Sequence, residues 1–377
     1  MKTREHLGRR KVSLSLLCAL FLLCCGLPQG AGAATGIRAL DEPAMMVTAP
    51  DKVSLIAIAL AGNRLVAVGE HGVIAYSDDN GLTWHQSVVP VTLTLTCVAF
   101  SSPTNGWAAG HYGVILHTAD GGKTWQLQMT GIGANQLTLD AANRAIAQDA
   151  TNTDAKRALR RANIFMAAGP DKPFLSILTQ SGTAATIFGA YRMTLKTNDG
   201  GKTWADWSLH IGDKLSHNLY DVFSAGPALY VVGETGLVFR SVDGGNNFPE
   251  VTQPGDATQP GDATLLGGID LRNDGVLVFG VAGQAFRSAD GGTTWQSVSF
   301  GATSSLVVAH ALRSGGLMIA SEDGGLYTSA DDGMTFLRLP ENVPMALYDF
   351  VQAADGSIVV VGNRGVMRLA APNVIQP

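Results

Sequence analysis

Cysteine is nearly absent from the part of this chain that reads as folded. Cys18, Cys24 and Cys25 fall within the first 33 residues, which leaves Cys97 alone. A single thiol excludes an internal disulfide, so the fold must rest on core burial. Cys97 itself sits in the apolar run Leu95–Phe100 and reads as a buried core residue. Charge is sparse, at 15% of residues, and basic charge sparser still. The first 33 residues hold five of the 26 basic and one of the 31 acidic side chains, leaving the remainder a formal net charge of −9. Such a surface argues against nucleic acid or anionic lipid as the main partner. The apolar run Val12–Leu27 is too short, and too soon followed by Pro28, for a transmembrane span. There is no phosphate-cradling loop, no nucleophile elbow and no cysteine-rich metal site. What the chain does have is glycine, 45 residues of it, as expected of an all-β architecture with many tight turns.

The N-terminus reads as an export signal. Arg4, Arg9, Arg10 and Lys11 form a basic region, Val12–Leu27 an apolar one, and Ala31-Gly32-Ala33 a small-residue cleavage site. The expected division is a signal peptide over 1–33 and a folded chain over 34–377, periplasmic or lumenal, with no span after cleavage. Arg9-Arg10 lacks the rest of a twin-arginine motif. Cys24 and Cys25 invite a lipoprotein reading, but Leu23 stands where such signals want a small residue.

One phrase recurs six times, Ser/Thr-x-Asp-x-Gly-x-Thr-Trp/Phe with small variations, centred on Asp79, Asp120, Asp199, Asp243, Asp290 and Asp331. The aspartate can accept backbone N–H bonds inside a tight turn while the glycines supply positive φ. The Thr-aromatic pair then starts a strand, with the ring packed between sheets. These aspartates are therefore expected to be structural, not catalytic.

A second signature precedes each phrase: a β-branched run, a glycine, two residues and often another glycine. The copies are at Gly69–Gly72, Gly110–Gly113, Gly189–Arg192, Gly233–Gly236, Gly280–Gly283, Ser321–Gly324 and Gly362–Gly365. Seven strand–turn–strand units spaced by about 40–45 residues predict a seven-bladed β-propeller of four-stranded antiparallel blades. In blade one the strands are expected at Val53–Leu60, Arg64–Val68, Val73–Ser77 and Thr83–Val89. The seventh blade has little chain left for an outer strand, and the segment near Ala44–Thr48 is expected to pair there and close the ring.

Two departures break the rhythm. Between blades two and three an insertion over Thr130–Lys172 carries a helical pattern from Leu139 to Met166, made basic by Arg144, Lys156, Arg157, Arg160 and Arg161. Later a hexapeptide is duplicated, Thr252–Ala257 and Thr258–Ala263, and reads as a lengthened loop.

Taken together, the six Asp-boxes and seven glycine turns resemble the Asp-box (bacterial neuraminidase repeat) propellers, in particular the photosystem II stability and assembly factor-like group. The resemblance covers about residues 45–370. It implies an exported assembly or stability factor that binds subunits of a membrane complex, without saying whether the host is photosynthetic. This step is analogy from a shared fold.

Topology puts the glycine turns and the inter-blade links on one face of the disc and the Asp-boxes on the other. The variable residues of the first face are thus the candidate partner contacts: Glu70, His71, His111, Tyr112, Tyr191, Arg192, Glu234, Glu322, Asp323, Asn363 and Arg364, joined by Arg157, Arg160 and Arg161 of the insertion. Tyrosine and arginine are favoured at interface hot spots. His71, His111 and Glu322 have no metal-ligand spacing. The expectation is a non-enzymatic scaffold with no cofactor, whose partner is a membrane protein complex or transporter. The rival is a glycan-binding or sialidase-like propeller, for which Glu70, Glu234 and Glu322 would be the carboxylates; the Arg-Ile-Pro motif of sialidases is missing around Arg38 and Arg64.

Overall fold

The computed structural model describes residues 37–212, 215–251 and 260–372. The expected signal peptide, 1–33, and most of the duplicated hexapeptide, residues 252–259, lie outside the described residues.

Seven antiparallel sheets follow one another along the chain, five with four strands and two with three. Blade one comprises Leu55–Ala61, Arg64–Gly69, Ile74–Ser77 and His85–Gln86, in that spatial order. The first strands of the seven blades pack each against the next, and that of blade seven (Leu347–Gln352) returns to that of blade one. The ring is closed. The second strand of each blade is almost wholly buried, because neighbouring blades cover both its faces; hence the unbroken apolar runs Leu65–Val68 and Val359–Val361.

Each Asp-box closes on itself as the residue types predict. In blade one Thr83 donates its backbone N–H to Asp79 Oδ1 at 2.8 Å and its hydroxyl to Oδ2 at 2.5 Å, while Ser77 Oγ donates to Oδ1 at 2.8 Å. The same set recurs on Asp120, Asp199, Asp290 and Asp331; on Asp243, Asn247 replaces the threonine. Bonds from Thr83, then Ser77, hold the Asp79 carboxyl down at about 2.

The glycine turns meet backbone on both sides. A Cβ on Gly69 would lie 2.1 Å from the Ser54 carbonyl, and one on Gly72, at φ +72°, would lie 2.1 Å from the Val91 carbonyl in the link to blade two. The turn face and the link face are therefore the same face.

Three expectations are corrected. The insertion is not one helix but a hairpin of two, Gly131–Gln148 and Thr153–Ala168, parted at Asp149–Asn152, where Asn152 caps the second helix through Asp154 N and Ala155 N. Blade four keeps its outer strand only as a short stretch, bridging Phe239 to Glu250, and blade seven has three strands among the described residues. Last, the segment Ala44–Val47 does not pair with blade seven. It lies along the outer strand of blade one, with Ala44 N on Val89 O at 3.0 Å and Val47 N on Gln86 Oε1 at 2.7 Å. The ring closes instead by packing: Leu55, Ile58, Leu60, Leu65, Ala67 and Trp84 of blade one meet Val351, Val359, Val361 and Val366 of blade seven. The Asp51 carbonyl also lies over Gly365, as link carbonyls lie over Gly72, Gly236, Gly283 and Gly324.

Candidate functional site

One hydrogen bond repeats seven times around the turn face. The residue after the first turn position donates its N–H to the residue preceding the blade's first strand: Glu70 to Ser54, His111 to Thr94, Ala190 to Pro173, Glu234 to Asn218, Val281 to Thr264, Glu322 to Ser305 and Asn363 to Ala346. These seven residues form a ring on that face. The next residue is held at φ 54–55° in five blades, among them His71, Tyr112 and Tyr191. Left-handed backbone is uncommon for bulky side chains. The turn here sets Tyr112 and Tyr191 outward, 36% and 50% exposed.

The predicted residues separate into those free to meet a partner and those spent on the fold. Burial, then the charges of Glu322 and Glu70, push the Tyr348 hydroxyl above the usual range. Glu322 is itself pushed up by burial and by Asp323. Glu234 is occupied, receiving Asn218 N at 2.9 Å and Asn218 Nδ2 at 3.0 Å. Asp323 accepts Ser321 Oγ at 2.6 Å, Asn363 accepts Ala346 N at 3.1 Å, and Arg364 donates to Pro344 O at 3.2 Å. His111 is partly buried, and burial lowers its pKa.

The basic hairpin divides in the same way. Ala155, Ala158, Ala162 and Phe165 form the buried face of its second helix, and Arg161 falls on that face. It donates to Ser208 Oγ at 2.7 Å and Ser216 Oγ at 3.3 Å, so it clamps the hairpin to blade three and is not an exposed contact. Arg192 is likewise buried; it takes the place other blades give to glycine, at φ 63°. Arg157 and Arg160 are exposed, Arg157 paired with Asp154. The hairpin root is fixed by Phe165 edge-on to Tyr191 at 6.2 Å, with Lys172 Nζ over both rings. The turn face thus carries carboxylates on blades six and one, either side of Tyr348 of blade seven, and tyrosines on blades two and three, where the basic hairpin is rooted.

Sequence reasoning missed the central channel, a cavity of about 780 Å³ lined by the first strands. Two carboxylates face it from equivalent positions, Asp221 of blade four and Asp349 of blade seven. Burial pushes Asp221 up to about 6, against bonds from Gly268 N, Ser176 Oγ and Val222 N that favour the charged form. Asp349 accepts Ile58 N at 2.9 Å and Phe350 N at 2.8 Å, with His310 Nε2 3.8 Å away. Each carboxylate thus ties its own blade to the first strand of the next. The repeated phrase Leu-Tyr-Asp at 219–221 and 347–349 was the available signal. Among the described residues no three His, Cys, Asp or Glu side chains gather into a metal site, and no helix is long and apolar enough to cross a membrane.

Comparison with known proteins agrees with the architecture. A family model described as Photosynthesis system II assembly factor YCF48 matches residues 77–143 and 171–324. The Photosystem II assembly lipoprotein Ycf48 of Synechococcus sp. (strain CC9902) is 36% identical over 62 residues, a stretch spanning 16% of this chain and 19% of that protein. Among solved structures, YCF48 from Cyanidioschyzon merolae superposes with a TM-score of 0.62 at 14% identity, covering 88% of this chain and 99% of that one. YCF48 bound to D1 peptide superposes with a TM-score of 0.58 at 15% identity, covering 88% and 97%. At these identities the structural likeness speaks for the fold alone.

Proposed function

This chain belongs to the photosynthesis system II assembly factor YCF48 family, and we propose that it acts as an exported, non-enzymatic scaffold that binds a polypeptide of a membrane protein complex. The observation that carries the reading is the exposure of Tyr112 and Tyr191 on the turn face together with that of Arg157 and Arg160 on the hairpin rooted at Tyr191. Rigid aromatics beside cationic groups suit a polypeptide partner with acidic or polar character. A relative of the same fold is described as bound to D1 peptide, which favours a peptide segment as the ligand here too. Export rests on the basic and apolar segments of 1–33, with the folded protein running over 34–377. Against the glycosidase alternative, both oxygens of Asp349 and of Asp221 accept backbone N–H groups, which suits clamps better than a proton donor and its partner.

The test is cross-linking capture from detergent-solubilised membranes by the tagged protein, beside a variant combining Tyr112→Ala, Tyr191→Ala, Arg157→Glu and Arg160→Glu. Deleting the hairpin would strip Phe165 and Ala134 from the core cluster they share with Phe174, Ile187 and Met193, so substitution is the cleaner route. A defined membrane subunit held by the native protein and lost by the folded variant supports the proposal. Retention on a glycan array with no captured subunit would replace it with the carbohydrate reading.

A further inference from the structure

The rim of blade seven differs from the other six. In blade one the outer edge of the third strand is covered, His85 and Gln86 pairing with Tyr76 and Ala75, and Ser87 N donating to Ile74 O at 2.9 Å. Even blade four, with the least regular outer strand, pairs Phe239 with Glu250. Among the described residues nothing pairs with the outer edge of Gly365–Leu369. The segment Ala44–Val47, which might have served, is bound to blade one.

That edge lies between apolar walls. Leu339 of blade six packs on the same core cluster as Met367 and Leu369, and Trp84 of blade one on the same cluster as Val366. Leu337, on the same side of its strand as Leu339, is 59% exposed, and Leu82 is 68% exposed. Trp84 is only partly buried, whereas its counterparts Trp125, Trp204 and Trp295 are buried. A ladder edge between apolar walls is the geometry that accepts an added strand.

We propose that this slot is a strand-addition site for an extended, uncharged segment of a partner polypeptide. The six outer strands that fill the equivalent position supply the template. Three of them, Thr83–Val89, Thr124–Met129 and Thr294–Val298, have a threonine, a tryptophan and no charged side chain. Main-chain pairing to Val366–Leu369 supplies the attachment, and alternate side chains enter the two walls. Arg368 on this strand is already engaged by Asp355 at 2.5 Å and by Asn80 O at 3.1 Å, so a further charge entering the slot would be desolvated without a free partner. The site is on the rim, apart from the turn face, and does not depend on what that face binds.

The probe is a synthetic peptide with the sequence of Thr83–Val89, blocked at both ends. It is titrated into the purified protein by fluorescence anisotropy, and amide hydrogen exchange is followed over Val366–Leu369. Saturable binding that slows exchange of those amides at least tenfold is expected. Leu337→Glu, at an exposed position, is expected to weaken the peptide at least tenfold without lowering the melting temperature. Failure of the peptide to bind, or binding without protection of those amides, overturns the proposal. So does protection already complete without peptide, which would mean that the chain's own residues fill the slot. Protection that rises with protein concentration alongside a dimer mass would assign it to a second copy and overturn the partner strand as well.

Discussion

Asp349 of blade seven accepts the backbone N–H of Ile58 of blade one at 2.9 Å, joining two residues 291 positions apart across the seam of the ring. The second oxygen takes Phe350 N at 2.8 Å. Asp349→Ala leaves the Ile58 N–H without its partner beside a channel. Hydrogen bonds to charged groups contribute about 1.5–3 kcal/mol, so a loss of about 2 kcal/mol is expected. Denaturant unfolding checks it; a midpoint within error of the native protein would show that the clamp carries no weight.

Asp221 should give stability an unusual pH slope. Its folded pKa is raised to about 6 from 3.8, so the folded state binds more protons than the unfolded state between those values. The group's contribution therefore falls as pH rises from about 4 to about 6, opposite to the usual carboxylate. Asp221→Asn removes that slope, so the variant gains on the native protein across this interval. Melting temperatures of the pair at pH 4.5 and pH 7 read it directly, and a gap constant with pH would contradict it.

The Asp-boxes run the other way. Asp79 is held at about 2 from 3.8, so its contribution is full above the unfolded pKa and is lost as pH falls through about 2. Asp120→Ala, which strips acceptors from Lys123 N, Thr124 N and Thr124 Oγ1, is expected to cost about 1–2 kcal/mol. Asp120→Asn should recover part of that loss, since one oxygen remains to accept. Equal loss in both variants would mean that charge, not turn geometry, is what matters.

Tyr348 reports on the acidic side of the turn face. Glu322→Gln and Glu70→Gln each remove a charge that raises its hydroxyl pKa, and each should lower it, while the part due to burial persists. The difference in phenolate absorbance between each protein and its Tyr348→Phe version isolates this one ring. A Tyr348 titration unchanged in both glutamine variants would place the carboxylates too far away to matter.

Arg161 and Arg157 should behave differently despite equal charge. Arg161→Ala removes the bonds to Ser208 and Ser216 and should speed proteolysis of the hairpin. Arg157→Ala, at an exposed position, should leave proteolysis unchanged. Equal protection in the two variants would remove Arg161 from the clamp.

The division between Arg157 and Arg161 marks where sequence reading ran short. Repetition made the ring legible: six Asp-boxes and seven glycine turns impose a local geometry, and local geometry repeated seven times leaves little freedom in topology. The helical stripe Ala155, Ala158, Ala162, Phe165 was also there to read, and it places Arg161 inside. The break at Asp149–Asn152 was harder, because alanine-rich helix lies on both sides. The channel carboxylates were hardest. Asp221 and Asp349 gain their setting from strands of neighbouring blades, and the shared Leu-Tyr-Asp phrase does not by itself state that each carboxyl will face an N–H 47 or 291 positions away. Arg192 signalled itself differently, as the arginine where the repeat wants glycine.

The seam has a consequence for how the chain becomes folded. Leu60, Leu65 and Trp84 of blade one share their core cluster with Val351, Val359 and Val361 of blade seven. Blades two to six can each build on the one before, but the first blade must wait, with one apolar flank uncovered, until the last has been delivered. Contacts of such separation are slow to form. An unfinished chain is therefore not a smaller propeller but an open one, adhesive at both ends, and its exposure to misassembly ends only when the seventh blade is complete.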